Sequence, residues 1–497
     1  MVTKHTLRAA VLAALALPLA AQAEKVTVEE LLKRLEAQEQ KIGLLEQKLE
    51  AKEEAAAGAQ EAAVAVDAQQ QQILVLERKL ELQDEAAAAA KTSTPVVTAG
   101  TRGFGIRSAD SKHSIRFRGT VHLDGRYLPD DDHGVIDTFQ ATRVRPTIEG
   151  TFGGIYDFKI MPDFGQGRTV IQDAFVTARF NPAAQLTVGK FKSPVGLERL
   201  QSANDMKWVQ RGFPTSLAPN RDIGFQLGGD LGGGRFSYQA AFLNGSNDGG
   251  SSEAFTDTDI NDDKEWALRL FTHPFAESDS FALRGLGFGV AGTYTDQAGN
   301  AAQPLLPAFR SPGQATFFRY RGFGTSAGTI ADGERTRIAP QLYYYVGSLG
   351  LLSEYTEVSQ DVSRLAPGGE RSATVDTNAW QFAASYFLTG EEAAFRGFKP
   401  KANFSLSEGT WGAFEIVARA QSLSVDDNAF AGGANSFADS AVAASQADSW
   451  GIGFNWYLNE NVKWLFNYES TSFEGGAAAG GDRPDEDAYQ LRLAVGF

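Results

Sequence analysis

Across 497 residues the chain carries 61 acidic and 46 basic side chains, a formal net charge of −15, and no cysteine. Disulfides are excluded, and so acidic a balance argues against nucleic acid as a partner. A mean hydropathy of −0.25 does not by itself mean a water-soluble chain, because a barrel with alternating lipid-facing and lumen-facing residues averages to such a value.

The first 23 residues read as an export signal. Lys4 and Arg8 form a short basic start, and Val11 to Ala21 is an apolar run too short to span a bilayer. Ala21-Gln22-Ala23 then supplies the small-x-small cleavage pattern, so the mature chain is expected to begin at Glu24 with a charge of −17 once Lys4 and Arg8 are lost. No later stretch is apolar for about 18 consecutive residues, so no transmembrane helix is expected.

Residues 24–91 lack Phe, Tyr, Trp and Pro and are rich in Ala, Glu, Gln, Lys and Leu. Val28, Leu31, Leu35, Ile42, Leu45 and Leu49 fall on alternating a and d heptad positions, with Gln38 at one d site. Ile73, Leu76 and Leu80 form a second set, out of phase with the first. A single helix cannot bury this seam, so a periplasmic coiled coil is the natural reading; a helix lying on another domain is the alternative. Residues 92–103 read as a linker, since KTSTPVVTAG (91–100) places Pro95 where it blocks helix continuation.

From residue 104 to Phe497 the pattern is strands and turns. In Ser114 to Tyr127, Arg116, Arg118, Thr120, His122, Asp124 and Arg126 alternate with Ile115, Phe117, Gly119, Val121 and Leu123. A period of two with one polar and one apolar face describes a strand between two solvents. The last strand does the same: Tyr489, Leu491, Leu493, Val495 and Phe497 share one face, Gln490, Arg492, Ala494 and Gly496 the other. Comparable segments number about sixteen, predicting an all-β, antiparallel transmembrane barrel with an aqueous channel rather than a packed core. They lie near 114–127, 139–152, 156–163, 170–181, 186–192, 222–230, 235–244, 265–274, 286–297, 335–346, 349–360, 374–388, 411–425, 447–458, 462–472 and 487–497. Short turns at 182–185, 347–348 and 459–461 are expected on one rim, long loops at 193–221, 298–334, 389–410 and 426–446 on the other. Tyr343, Tyr344, Tyr345, Trp450, Trp456, Tyr457, Trp464 and Tyr468 are expected to form interfacial girdles.

Charge is unevenly spread. Residues 100–200 hold 14 Lys and Arg against 11 Asp and Glu, whereas 24–91 hold 9 against 15. Acidic runs at 130–132 and 257–263 read as solvated loop charge. Arg143, Arg145, Lys159, Lys190 and Lys192 are read onto the lumen face, where a cationic wall lowers the entry barrier for anions; the alternative is that they merely pair with Glu149, Asp157, Asp163 and Asp173. Ser193 to Arg221, with Arg199 and Arg211, is the expected constriction loop. Arg310, Arg319 and Arg321 in the loop 298–334 form a candidate approach path for anions. The five histidines are scattered, with His122 read as an ordinary wall residue. No catalytic triad, metal-ligand cluster or cofactor motif appears, so no enzyme is expected.

RVRPTIEGTFGGIYDFKIMPDFG, IQDAFVTARFNP, LTVGKFKSPVGLERLQS and LAPNRDIGFQL, between Arg143 and Leu227, resemble the phosphate- and pyrophosphate-selective outer-membrane porins, the O/P porin family. Weaker similarity runs through FNWYLNENVKWLFNYES to the final Phe. The resemblance implies a homotrimer of sixteen-stranded barrels in the bacterial outer membrane, some relatives carrying an N-terminal coiled coil. It also implies a constriction at Arg145, Lys159, Arg199 and Arg211. Val144 departs at one member of the family's arginine pair, with Arg143 a candidate substitute, and Thr120 stands where the family has a first-strand arginine. The moderating acidic residue falls at Gln172 or Asp173, and the late-strand lysine near 447 has no counterpart. The expected function is passive diffusion of phosphate, pyrophosphate or related anions. A porin of the same fold for other solutes, or a tether contacting peptidoglycan through the coiled coil, are the alternatives.

Overall fold

The computed structural model describes residues 71–85 and 94–497, apart from 130–133, 247, 250–258, 260, 323–324 and 367–368, together with Lys33, Ala37 and Gln40. The export signal and the heptad positions from Val28 to Leu49 lie outside the described residues, as do the acidic run 130–132 and part of 257–263. The chain divides into two units, 1–92 and 93–497. In the first, residues 71–85 are helical, and Ile73, Leu76 and Leu80 are exposed on that helix.

The second unit is a closed antiparallel barrel of sixteen strands. In chain order they are β1 (Ser114–Tyr127), β2 (Thr138–Phe152), β3 (Tyr156–Asp163), β4 (Val170–Asn181), β5 (Ala184–Lys192), β6 (Arg221–Leu231), β7 (Phe236–Leu243) and β8 (Glu265–Thr272). There follow β9 (Leu286–Ala298), β10 (Thr329–Val346), β11 (Leu349–Ala366), β12 (Gly369–Phe387), β13 (Ala413–Val425), β14 (Ala444–Tyr457), β15 (Val462–Gly475) and β16 (Glu486–Gly496). Each strand pairs with its chain neighbours, and β16 closes on β1 from Tyr489 opposite Tyr127 to Gly496 opposite Thr120. Phe497 and Gly119 exchange backbone hydrogen bonds of 2.9 and 3.0 Å. Gly119 is required there, since a Cβ would come within 2.4 Å of the Phe497 ring. Closure leaves none of the sixteen barrel strands at an edge of the sheet, which is what a lipid environment demands of strands.

Burial is inverted relative to a water-soluble fold. On β1, Ile115, Phe117, Leu123 and Tyr127 are exposed while His122 and Asp124 are buried. On β16, Tyr489 is exposed while Gln490, Arg492 and Ala494 are buried. The apolar face therefore meets lipid and the polar face the lumen, as the two-residue period requires.

Four features differ from the sequence-based expectations. Within 92–103, Val96–Gly100 forms a strand that pairs with Gly103–Arg107, and this hairpin adds to the lower end of β1. The long connection between β12 and β13 lies on the same rim as the turns at 153–155, 182–183, 347–348 and 458–461, because strand direction alternates around the barrel. Tyr343, Tyr345 and Tyr457 turn inward rather than to an interfacial girdle: Tyr343 stacks on Phe395 at 4.9 Å, Tyr345 packs beside Phe387, and Tyr457 is buried against Phe398. Trp450 and Tyr468, with Tyr489, do form an aromatic cluster on the lipid face.

The fourth difference is that part of the lumen is dry. Phe309, Phe317 and Phe318 from the β9–β10 loop and Phe437 from the β13–β14 loop are almost fully buried. They pack with Phe213, Leu217, Val358, Val362, Val375 and Leu423 into one apolar cluster. Aromatic loop residues lose most by staying in water, so these loops fold inward over the long strands β10 to β12, of 18, 18 and 19 residues. The channel is thereby confined to the remaining side of the barrel.

Candidate functional site

The segment 193–220 between β5 and β6 crosses the lumen, as its length leads one to expect. Its far side is fastened to β11–β15. Backbone N–H groups of Leu197 and Glu198 donate to Glu354 at 2.6 and 3.3 Å, that of Val209 to Asn467 at 2.8 Å and that of Phe213 to Gln421 at 2.8 Å. Lys463 reaches the Met206 carbonyl at 2.6 Å, Lys207 pairs with Glu415, and the Arg419 guanidinium lies 4.4 Å from the Trp208 ring. The alternating polar residues of β11–β15 thus serve as loop anchors. The sequence displays them, but nothing local says what they hold.

The near side of the loop faces β1–β5 and β16. Two cavities border it. The outer, of about 730 Å³, is lined among others by Arg126, Arg143, Arg145, Asp163, Gln210 and Arg492. The inner, of about 560 Å³, is lined among others by Arg118, Lys159, Asn204, Asp205, Lys207 and Lys463. A short polar chain joins them. Arg143 Nη1 lies 3.1 Å from His122 Nδ1, His122 Nε2 lies 3.3 Å from Asn204 Oδ1, and Asn204 Nδ2 donates to Thr120 Oγ1 at 3.1 Å. A guanidinium only donates, so Nδ1 accepts and Nε2–H donates, which fixes the neutral tautomer of His122. His122 is therefore a linking residue and not merely part of the wall.

The cations read from the sequence divide into two groups. Arg145 pairs with Asp163 at 2.7 Å, and Lys159 with Asp173 at 2.7 Å. Asp173 also binds Arg221 at 2.8 Å. Farther down the wall, Arg116 and Arg118 both approach Glu149, and Arg179 meets Asp157. Arg143, Lys192, Arg199 and Arg211 have no carboxylate within 4.0 Å among the described residues and bond to neutral groups instead. Lys192 donates to the carbonyls of Arg199 and Gln201 at 2.9 and 2.8 Å, Arg211 to those of Glu198 and Gln201 at 3.2 and 3.1 Å, and Arg199 to that of Thr215. Burial, reinforced by the neighbouring Arg211 and Arg221, pulls the Arg199 group down to about 9, still a cation at neutral pH.

Other predicted positions fall elsewhere. Lys190 is buried between Ala174 and Ile223 and lines neither cavity. Of the candidate approach path, Arg310 borders the outer cavity and Arg319 is exposed. Arg321 is taken up by Ser436 and Asp439 of the β13–β14 loop, at 3.1 and 2.5 Å. Sequence reasoning did not single out Arg492, which is 1 % exposed and grips Asp124 through two bonds of 2.6 Å. Its place on the polar face of β16 was the available signal.

Comparison with solved structures finds the outer membrane channel DcaP of Acinetobacter baumannii, at 13 % identity and a TM-score of 0.49, covering 80 % of this chain and 99 % of that one. A loop L8 deletion mutant of OmpT, an outer membrane protein of Vibrio cholerae, matches at 12 % identity and a TM-score of 0.48, covering 78 % of this chain and 100 % of that one. No curated protein matches the sequence. A family profile described as phosphate-selective porin O and P matches residues 115–497, that is, every strand of the barrel. The chain therefore belongs to the phosphate-selective porin O and P family and is a β-barrel channel of the bacterial outer membrane.

Proposed function

We propose that this porin passes anions by diffusion, phosphate and pyrophosphate among them, between the loop 193–220 and the wall formed by β1–β5 and β16. The observation that carries the reading is the set of cations left without a carboxylate: Arg143, Lys192, Arg199 and Arg211. Held by neutral oxygens or an imidazole rather than by a carboxylate, they leave an uncompensated positive field beside the passage, which only Arg143 borders directly, and that field attracts anions without binding them irreversibly. Arg145 and Lys159 are shared with Asp163 and Asp173, so they act as relays rather than as sinks. No chemistry is done on the solute. Planar-bilayer recording in a KCl gradient is the test: the reversal potential is expected to be anion-selective, and added phosphate to reduce the chloride current. A cation-selective reversal potential would refute the proposal.

The ion pairs Arg145–Asp163 and Lys159–Asp173 favour a second reading, a porin for a broader range of solutes. Neutralised pairs weaken the hold on any one small anion. Titrating phosphate and pyrophosphate against chloride separates the two, since the broad porin would show no block by either.

We also propose that the barrel is homotrimeric and that residues 24–91 assemble as a periplasmic coiled coil able to contact peptidoglycan. The exposed Ile73, Leu76 and Leu80 on helix 71–85 support an unburied seam. Cosedimentation with peptidoglycan, with and without residues 24–91, checks the contact.

A further inference from the structure

We infer that the connection between β12 and β13, residues 388–412, straddles the barrel rim, and that its outer half, the hairpin 404–411, lies on the periplasmic leaflet at the level of the phospholipid headgroups. The partner is a lipid surface, and the reading is independent of which solute the channel passes. Three observations carry it.

The first is placement. The two halves of this connection sit on opposite faces of the wall. In the inner half, Phe395 stacks on Tyr343 at 4.9 Å and Phe398 on Phe387 at 4.7 Å, both inward-facing positions. Gln201 donates to the Phe395 carbonyl at 2.7 Å and the Gly397 N–H to Asp205 at 3.1 Å, so this half also bonds to the crossing loop. In the outer half, Phe404–Ser405 pairs with Thr410–Trp411. The Phe404 ring meets Trp456 edge-on at 5.5 Å, and the Trp456 N–H donates to the Trp411 carbonyl at 2.7 Å. Trp456 stands two residues after Phe454 on the lipid face of β14. The chain recrosses the rim at Gly412, with φ +74°, where a Cβ would stand 2.0 Å from the Tyr457 carbonyl oxygen, so only glycine fits.

The second observation is continuity. Phe414 stacks on Phe454 at 5.4 Å, and Phe454 meets Phe466 at 6.4 Å, so Phe404 and Trp456 extend the lipid-facing aromatic row to the rim. Beyond them Leu388 and Trp411 are each 56 % exposed and Leu406 78 %. An apolar surface continuous with a lipid-facing wall is covered at least cost by the same lipid. The third observation is charge. Lys399, Lys401 and Glu408 are exposed around this surface, Lys399 reaching Glu460 at 3.2 Å. Lysine beside tryptophan and leucine is the composition of an element lying in the membrane interface, where the ammonium meets headgroup phosphates. Glu408 needs water, which keeps the hairpin out of the hydrocarbon. A second protein chain is the poorer fit, because lysine and glutamate are depleted at protein interfaces.

The test uses the full-length protein in phospholipid vesicles. The chain has no cysteine, so Leu406→Cys accepts a single fluorescent label; Ser407→Cys carries it if that variant does not assemble. Quenching is compared between lipids bearing a nitroxide just below the headgroup and iodide present on both sides of the membrane. Each is scaled to its own full signal, the same label at Phe466→Cys on the lipid-facing wall for the nitroxide and the free label for iodide. A label about 5–10 Å deep is expected to be quenched at least about twofold more by the lipid nitroxide than by iodide. Moving the nitroxide to the end of the acyl chain is expected to remove most of that quenching. Quenching by iodide as strong as that by lipid would put the hairpin in the periplasm and overturn the inference. Quenching by neither would mean that a second copy of the chain covers the hairpin, which overturns it equally, and quenching mainly by the chain-end nitroxide would overturn the headgroup-level placement.

Discussion

The two sides of the lumen use charge in opposite ways. Against β8–β15, cations are locked into ion pairs that hold loops: Arg335 and Arg337 share Glu265 at 2.6 Å each, Arg337 also takes Asp248, and Arg419 binds Glu469. Those side chains are essentially inaccessible. Along β1–β5 and β16 the arginines border the two cavities, and Arg126 and Arg143 bond only to neutral groups. A buried unpaired charge is expensive, and on the scaffold side Lys463 and Arg364, which lack carboxylate partners, are instead held by backbone carbonyls, of Met206 and of Ala327, Ala434 and Ser436. The difference teaches that the lumen is built as a scaffold on one side and a charged passage on the other. Substitutions should therefore sort by side: structure on the first, selectivity on the second.

The largest effect is expected at the dry side. Phe317 is fully buried and meets the rings of Phe213, Phe309 and Phe473 at 5.9, 6.4 and 5.8 Å. Phe317→Ala should cost about 3–5 kcal/mol of local stability. The inward-folded loop would loosen, raising single-channel conductance and lowering the temperature at which the barrel unfolds in detergent. The reversal potential should keep its value. Next comes Glu354→Ala, which strips the Leu197 and Glu198 N–H groups of their acceptor. About 1–3 kcal/mol is at stake, and the expected sign is increased open-channel current noise as loop 193–220 moves. A quiet trace of unchanged conductance would show that the loop does not depend on that wall.

On the passage side, Arg143→Glu should leave thermal unfolding nearly unchanged and lower the anion-to-cation permeability ratio by about tenfold, corresponding to about 1.4 kcal/mol. Bi-ionic reversal potentials measure it. A large loss of stability without a change of selectivity would erase the distinction between the two sides.

How much of this was legible follows from which interactions are local. Most strands were readable to within two or three residues, because alternation between lipid and lumen is written into each segment: Ile115 and Phe117 beside Arg116 and Arg118 need no partner to be interpreted; β10, β11 and β12 run five or six residues further at their outer ends than their sequence suggested. The crossing loop was readable from its length and charge. The packed outer lumen was not, since Phe309 and Phe437 join one cluster only after the barrel closes, and an aromatic in a loop carries no mark of where it folds. Arg492 and Asp124 are 368 residues apart, so their pairing lay beyond any local pattern. Tyr343 and Tyr457 look the same in sequence as the lipid-facing Trp450; only strand register decides which face each takes.

The smallest effect should arise where the loop touches the passage wall without a charge. Asn204 donates to Thr120 at 3.1 Å and accepts from His122 at 3.3 Å, both long bonds beside water. Gly496 makes the approach feasible, since a Cβ there would stand 2.4 Å from Asn204 Nδ2. Removing the amide by Asn204→Ala should cost under about 1 kcal/mol, because water can replace both partners. Conductance is expected to rise by less than about twofold, with the reversal potential unchanged, because Arg143 stays beside His122 and no charge is lost. Gly496→Val, which pushes the same side chain off the wall from the other direction, should act alike. If either substitution shifted selectivity as far as Arg143→Glu, then the alignment of His122 and Asn204, rather than the free guanidinium, would be setting the preference for anions.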